Sequence, residues 1–315
     1  VSARRPATIV LLGPTAAGKS EIALHLAPLV GGEIVGADSR QIYRGLVIGT
    51  AAPSDEERAR VPHHLASFLP PDEIYSAGRF ARDAKQVMAD VAARGAIPIV
   101  VGGSGLYLRA LLQGLFEGPG RDESLRAEFA RRLEGEGLDS LREELGRVDP
   151  ASLAKIFPGD SVRVIRALEV FRLTGIPISE LRRTSARAPI AARRYGIRWG
   201  RAPLALRIAD RVADQLRRGF LEETRALVAQ DLPPRAPGLH TLGYRELAAH
   251  LAGTLSLEEA VETIALRTRQ LAKRQETWFR REPETRWYTV SDASEFPGIA
   301  REIAHEVLHS GEAAT

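Results

Sequence analysis

The chain has 315 residues, 44% hydrophobic and 27% charged, with a formal net charge of +4. That balance supports a real core in one large or two ordinary domains, and it is too mildly basic to identify a polyanion partner by itself. There is no cysteine, which excludes disulfides and thiolate metal sites. No apolar run approaches the ~18–20 residues of a membrane span, and "VSARRPATIV" lacks a leader-like apolar region with a cleavage site. A soluble, cytoplasmic protein without a membrane partner is expected.

Residues 8–12 (TIVLL) read as a buried parallel strand. Gly13-Pro14-Thr15-Ala16-Ala17-Gly18-Lys19-Ser20 follows and fits the phosphate-loop pattern G-x-x-x-x-G-K-[ST]. A helix from Ser20 to about Leu29 carries Ile22, Ala23, Leu26 and Ala27 at helical spacing. A second strand, "EIVGAD", ends at Asp38, and a third, "IPIVVGG", at Gly102-Gly103. Between them lie a loop with Pro62-His63-His64 and a helix near Ala77 to Arg94. Near Gly114 the texture changes, and charged helical periodicity runs to about Leu181. A strand-like "YGIRWG" (195–200) then returns to the core. Helices follow over Pro203–Arg218, Leu221–Gln230, Tyr244–Leu251 and Leu257–Arg281, with a short one after Ser291. Strand–helix alternation around a phosphate loop predicts an α/β fold. This is a P-loop NTPase-like parallel sheet core flanked by helices, with an all-helical insertion domain. The expected partition is 1–114 (first part of the core), 115–190 (insertion) and 191–315 (second part, with basic C-terminal helices).

The loop glycines let backbone N–H groups converge on phosphate oxygens at a helix N-terminus. Lys19 can neutralise phosphate charge, and Ser20 can ligate Mg²⁺. A P-loop NTPase needs a further acid at a strand end. The third strand offers none there; the second offers Asp38, as metal ligand or general base, or simply as a turn residue. Ser39, Arg40, Gln41, Tyr43 and Arg44 follow it and suit base and phosphate contacts, or a solvated loop. His63-His64 reads as structural or substrate-positioning rather than metal-binding, because no partner lies at ligand spacing. Ser104 in "GGSGLYL" either points into the cleft or serves a tight turn. "RTRQLAKRQETWFRRE" interleaves Arg267, Arg269, Lys273, Arg274, Arg280 and Arg281 with Trp278 and Phe279. It is either a nucleic-acid groove or a solvated amphipathic helix. Arg163 and Arg166 add basic turns within the insertion.

In order along residues 7–288, "GPTAAGKS", "ADSRQIYRGLVIGTA", "VPHHL", "YSAGRFARDA", "VVGGSGLYLRALLQGL", "DSVRVIRALEVFRLTGIPIS", "GLHTLGYREL" and "TRQLAKRQETWFRRE" resemble the bacterial tRNA isopentenyltransferase (dimethylallyltransferase) family. The resemblance implies transfer of a dimethylallyl group from dimethylallyl diphosphate to N6 of adenine 37, in tRNAs reading codons that begin with U, with release of diphosphate. It implies catalytic roles for Asp38 as base, for Ser20 with Mg²⁺, and for Arg211. It assigns the diphosphate to Gly13 through Ser20, assisted by Arg211. It assigns anticodon stem-loop contacts to Asp38, Ser39, Arg40, Gln41 and Ser104, and in the insertion to Arg126, Val162, Arg163, Val164, Ile165 and Arg166. Further contacts fall to His240, Thr241, Leu242, Gly243, Tyr244 and Arg245, and to Lys273, Arg274, Gln275, Trp278 and Arg280. The partners implied are tRNA and dimethylallyl diphosphate, the cofactor is Mg²⁺, and the expected state is a monomer. Reaching Asp38 would require a flipped adenine. Ala52 stands where relatives often carry Lys, which puts any contact of that Lys in doubt; Ser20 and Ser104 replace frequent Thr and keep the hydroxyl. Prenyl transfer to free adenylate and a P-loop nucleotide kinase are the alternatives. The Arg-rich insertion and C-terminal helix favour tRNA over adenylate, and the missing acid after "PIVVGG" argues against the kinase.

Overall fold

The protein is described by a computed structural model over residues 8–114, 118–184 and 189–309. The expected boundary at 115, the leader-free reading of residues 1–7 and the end of the chain touch residues outside that description. The elements, in chain order, are β1 (Thr8–Leu12), α1 (Lys19–Val30), β2 (Gly32–Gly36), α2 (Asp55–Arg60), β3 (His63–His64), α3 (Ala77–Ala93), β4 (Ile97–Gly102) and α4 (Gly105–Gln113). Next come α5 (Glu123–Val148), α6 (Pro150–Leu153), α7 (Ser161–Thr174) and α8 (Ile178–Thr184). The chain continues through β5 (Ala192–Trp199), α9 (Arg201–Arg217), α10 (Phe220–Val228), α11 (Tyr244–Leu251), α12 (Leu257–Phe279), β6 (Thr285–Val290) and α13 (Phe296–His309). They form two compact units, one of Val1–Leu112 with Ile190–Thr315 and one of Gln113–Pro189.

In the first unit six strands make one sheet in the order β3-β2-β4-β1-β5-β6, and every pairing is parallel. The short apolar run 8–12 takes the centre because both its faces are covered. Ile9 and Leu11 point to one side, into a core with Ile22 and Leu26 of α1 and Phe296, Ile299 and Ile303 of α13. Phe80 of α3 and Tyr107 of α4 stack at 4.4 Å and are buried as well. Two strands differ from the sequence reading. His63-His64, expected as loop, pairs in parallel with Ile34 and Val35. Thr285–Val290, which carried no expectation, pairs with β5 at the sheet edge. The second strand also stops at Gly36, two residues before Asp38, so Asp38 sits in the loop beyond the sheet.

The register sets Leu12, the last residue of β1, opposite Gly102, the last of β4, and opposite Gly196 of β5, which runs on to Trp199. Two glycines permit the close packing just beyond. A Cβ on Gly13 (φ +145°) would lie 2.3 Å from the Ile197 carbonyl oxygen, and one on Gly102 would lie 2.1 Å from that of Ala37. Ligands of open parallel sheets bind at this edge.

The second unit is helical. α5 breaks at Gly137 (φ 79°), and its two halves pack with α7 around Phe129, Leu141, Leu145, Val164 and Leu168. Glu169 is fully buried there, hydrogen-bonded by Arg126, Arg166 and the Asp122 amide. Arg166 also donates to the Pro119 carbonyl at 2.8 Å. Burial alone would raise the Glu169 pKa; these donors outweigh it and bring it down to about 2. Among the described residues, no helix is long and apolar enough to cross a membrane.

Candidate active site

The phosphate loop leaves β1 and enters α1 through Gly18 (φ 88°), with no side chain capping the helix start. The first amides of α1 are therefore open to an anion. A Cβ on Gly18 would fall 2.1 Å from the Phe296 ring, so this position needs glycine for space as well as for its dihedral angle. Ser20 is exposed beside it, and its hydroxyl has no hydrogen-bond partner among the described residues.

Three side chains hold the loop from outside. Trp199 donates its indole N–H to the Ala17 carbonyl at 3.1 Å. Arg207 donates to the Ala16 carbonyl at 3.1 Å while its guanidinium lies 4.5 Å from the centre of the Trp199 ring. Gln275 accepts the Thr15 amide at 2.8 Å and donates to the Gly103 carbonyl at 2.9 Å. Ala16 is held at φ 62°, a conformation non-glycine residues adopt only under such constraint.

Lys19 is buried, and its ammonium donates to the Pro14 carbonyl at 2.6 Å. Burial lowers its pKa to about 8, against the pull of the Asp38 carboxylate and with the help of the Arg211 cation. Lys19, Asp38 and Arg211 thus share one electrostatic neighbourhood. Asp38 accepts the Arg40 amide at 2.8 Å through one oxygen and has no other hydrogen-bond partner among the described residues. Arg211 makes no hydrogen bond or short ion pair among them, and burial lowers its pKa.

Two cavities meet at this point. One, of about 790 Å³, is lined by the phosphate loop, His63, His64 and the α9 stripe Arg207, Arg211, Asp214 and Arg218. The other, of about 550 Å³, is lined by Ser39, Arg40, Ser104, His240, Thr241, Leu242, Gly243, Arg274 and Trp278. Thr15, Asp38, Thr50, Gly103, Arg211 and Gln275 border both. Asp38 therefore stands between a cationic phosphate cradle and a chamber walled by an aromatic ring and arginines. Both volumes lie in the range of small-molecule sites.

The remaining residues singled out by sequence take varied places. Ser104 offers its oxygen to the Ser39 amide at 2.9 Å, which ties the turn after β4 to the Asp38 loop. The Gln41 amide nitrogen is spent on the Thr50 and Ala51 carbonyls, so only its oxygen is left for a ligand. The side chains of Tyr244 and Val164 are buried and reach no surface; any contact there with RNA would be through backbone. Arg245 pairs with buried Glu246, which caps the Gly243 amide. In the second unit Arg126 and Arg166 are held by Glu169, Arg163 pairs with Asp160, Ile165 is half-buried and Val162 is exposed. Trp278 packs its ring against Gly105, under the Arg109 guanidinium at 4.2 Å. Lys273 is exposed on α12, and Arg280 is exposed just past its end. His64 is bonded to Glu33 at 2.6 Å and His63 to the Val61 carbonyl at 2.7 Å; no metal-ligating cluster forms among the described residues.

Sequence reasoning missed Trp199, Arg207 and Glu223. Arg207, Arg211, Asp214 and Arg218 recur at helical spacing and mark one face of α9, which was a usable signal. Glu223 carried none. Its carboxylate accepts the amides of Val47, Ile48 and Gly49 and the Tyr244 hydroxyl, and it shapes the loop that reaches Thr50.

Residues 41–282 match the model of the IPP transferase family, a stretch that begins three residues after Asp38 and leaves the phosphate loop outside it. The chain is 46% identical to a tRNA dimethylallyltransferase of Geobacter metallireducens, over 95% of this chain and 96% of that protein. It is 47% identical to the tRNA dimethylallyltransferase of Koribacter versatilis, over 90% and 92%. Among solved structures it is similar to the tRNA isopentenylpyrophosphate transferase of Bacillus halodurans, with TM-score 0.70 and 33% identity over 96% and 97% of the two chains. It is also similar to a eukaryotic dimethylallyltransferase acting on tRNA, with TM-score 0.80 and 29% identity over 95% and 77%.

Proposed function

The chain belongs to the IPP transferase family, and from that premise we propose that it transfers a dimethylallyl group from dimethylallyl diphosphate to N6 of adenine 37 in tRNA. The observation that carries this reading is the position of Asp38, bordering both the phosphate cradle and the chamber of Arg274 and Trp278. The acceptor tRNAs would be those that read codons beginning with U.

The donor diphosphate sits on the open amides at the start of α1, with Lys19 and Arg211 around it. The adenine enters the second chamber as a flipped base, where Trp278 and the arginines suit a ring and its phosphates. An exocyclic adenine amine is a weak nucleophile because its lone pair is delocalised into the ring. Asp38 hydrogen-bonds N6–H and takes that proton as the N6–C1 bond forms. The C1–O bond breaks at the same time, and its electron pair leaves with the diphosphate, whose charge Lys19, Arg211 and the loop amides stabilise.

Mg²⁺ suits the donor set, because the exposed Ser20 hydroxyl makes no hydrogen bond among the described residues and lies in the first turn of α1, directly after the phosphate loop. Ser20 would hold such an ion, which would supply further charge neutralisation to the leaving group. The same reading has the enzyme act as a monomer on cytoplasmic tRNA.

The test is incubation with dimethylallyl diphosphate, Mg²⁺ and an unmodified tRNA carrying A36-A37-A38, with adenylate and ATP-hydrolysis controls. A mass gain of one dimethylallyl group at A37 is expected. Prenylated adenylate without tRNA product, or ATP turnover alone, would reject the reading.

A further inference from the structure

Gln275 lies on α12 between Arg274 and Trp278, among residues that face the second chamber. Its position in the chain groups it with them. Its hydrogen bonds do not. Both ends of its carboxamide are committed to backbone: the oxygen to the Thr15 amide, 260 residues away, and the nitrogen to the Gly103 carbonyl. The site is also built around it, since a Cβ on Gly103 would meet the Gln275 nitrogen at 2.5 Å.

Thr15 is the third residue of the phosphate loop. Its peptide is the point where the chain turns away from β1, just before Ala16 takes its left-handed conformation. A free peptide at such a turn can rotate, and an anion site loses affinity when its amides must be ordered on binding. Trp199 and Arg207 hold the next two carbonyls. Gln275 alone among the described side chains holds the Thr15 amide, and it fixes the loop against the turn after β4.

We infer that Gln275 is a positioning residue of the donor-diphosphate site, acting through the Thr15 peptide, and not an RNA-contacting residue. It sets the loop before the donor arrives, from the helix whose neighbouring side chains face the acceptor chamber. The turnover arm of the test rests on the transfer activity proposed above; the binding arms do not.

The variant is Gln275→Met, which keeps length and volume but removes both hydrogen bonds. Binding of inorganic pyrophosphate with Mg²⁺ is measured by calorimetry, and binding of unmodified tRNA by filter retention. Pyrophosphate should bind about tenfold more weakly, the loss expected for one buried backbone anchor, with tRNA affinity within twofold of the parent. In turnover, KM for dimethylallyl diphosphate should rise about as much, with kcat and KM for tRNA little changed. A merely structural role would lower stability without this split. Lost tRNA affinity with unaltered pyrophosphate binding overturns the inference. Should the Met variant not fold, Gln275→Leu, also uncharged and without hydrogen-bonding groups, faces the same two binding measurements. If the parent binds pyrophosphate yet prenylates no tRNA, the function proposed above fails while the Gln275 comparison remains decisive.

Discussion

Donor binding should weaken steeply as pH rises through about 8, because the ammonium of Lys19 is held in a site that disfavours its charge. Without a ligand, burial lowers the Lys19 pKa from 10.5 to about 8. A bound diphosphate supplies the missing opposite charge and returns the pKa towards 10.5 or above. The donor's terminal phosphate loses its last proton near pH 6, and arginine side chains do not give up their proton in proteins. Lys19 is thus the group that titrates between pH 7 and 9.5. If only the ammonium form binds well, the apparent Kd scales as 1 + 10^(pH − 8). That factor is close to one at pH 7, about two at pH 8 and about thirty at pH 9.5. Titration calorimetry with dimethylallyl diphosphate, in the absence of tRNA, reads it directly. At pH 8, binding should take up about half a proton, seen as a dependence of the heat on the buffer's ionisation enthalpy. Lys19→Arg, charged at every pH in the window, should flatten the profile. A Kd constant within twofold from pH 7 to 9.5, with no proton uptake, would refute the reasoning; Asp38 would then be holding the ammonium more firmly than burial opposes it. A depressed lysine pKa means that the unliganded protein carries the cost of a buried ammonium below pH 8, and this cost is relieved as pH rises from 8 towards 10.5.

Three further outcomes are expected. Asp38→Ala should lower turnover by a factor of roughly 10² or more, the usual contribution of a general base, with tRNA affinity largely retained; an equal loss of affinity would make Asp38 a binding residue. Glu223→Ala strands three backbone amides and the Tyr244 hydroxyl, and it should cost about 3 kcal/mol, a fall in Tm of roughly 6–12 °C; an unchanged Tm would show that water replaces the carboxylate. Glu169→Gln should destabilise the helical unit by about 3 kcal/mol at neutral pH, from a pKa drop of 4.5 to about 2. A depressed carboxyl contributes above its unfolded pKa and loses that contribution as pH falls towards the folded one. The two melting curves should therefore converge between pH 4.5 and 2, and a constant gap would contradict the ion-pair account.

The phosphate loop, the strands at 8–12 and 97–102 and the helices of the core were legible because each signal is local. A continuous apolar run, a glycine pattern or a helical period needs only a few neighbouring residues. β6 was not legible, although "TRWYTV" is rich in β-branched and aromatic residues, because charged residues crowd its start and its partner lies some ninety positions earlier. β3 is only two residues long and exists by pairing with β2. In the site, Lys19, Asp38 and Arg211 could be named from sequence. Gln275 could be named but not placed, since its neighbours on α12 pointed to RNA and its partners Thr15 and Gly103 lie far off in the chain. Trp199 serves the loop through a backbone carbonyl, a bond that leaves no residue pattern; Arg207 was marked by the stripe it shares with Arg211, but its carbonyl partner was not.

The sheet's connectivity also sets an order of assembly during synthesis. β1 lies between β4 and β5, and β5 is made only after the whole helical unit. At about 10 residues per second, a ribosome needs several seconds to pass from β4 to β5. During that time β1 carries an unpaired edge, a template for association with other chains. The helical unit has its core from Phe129 to Ile178 within one continuous stretch, so it can fold while the sheet waits. Chains released early, before residue 192, should accordingly be insoluble despite containing a folded helical part, and slowing synthesis should cost more yield than slowing later maturation.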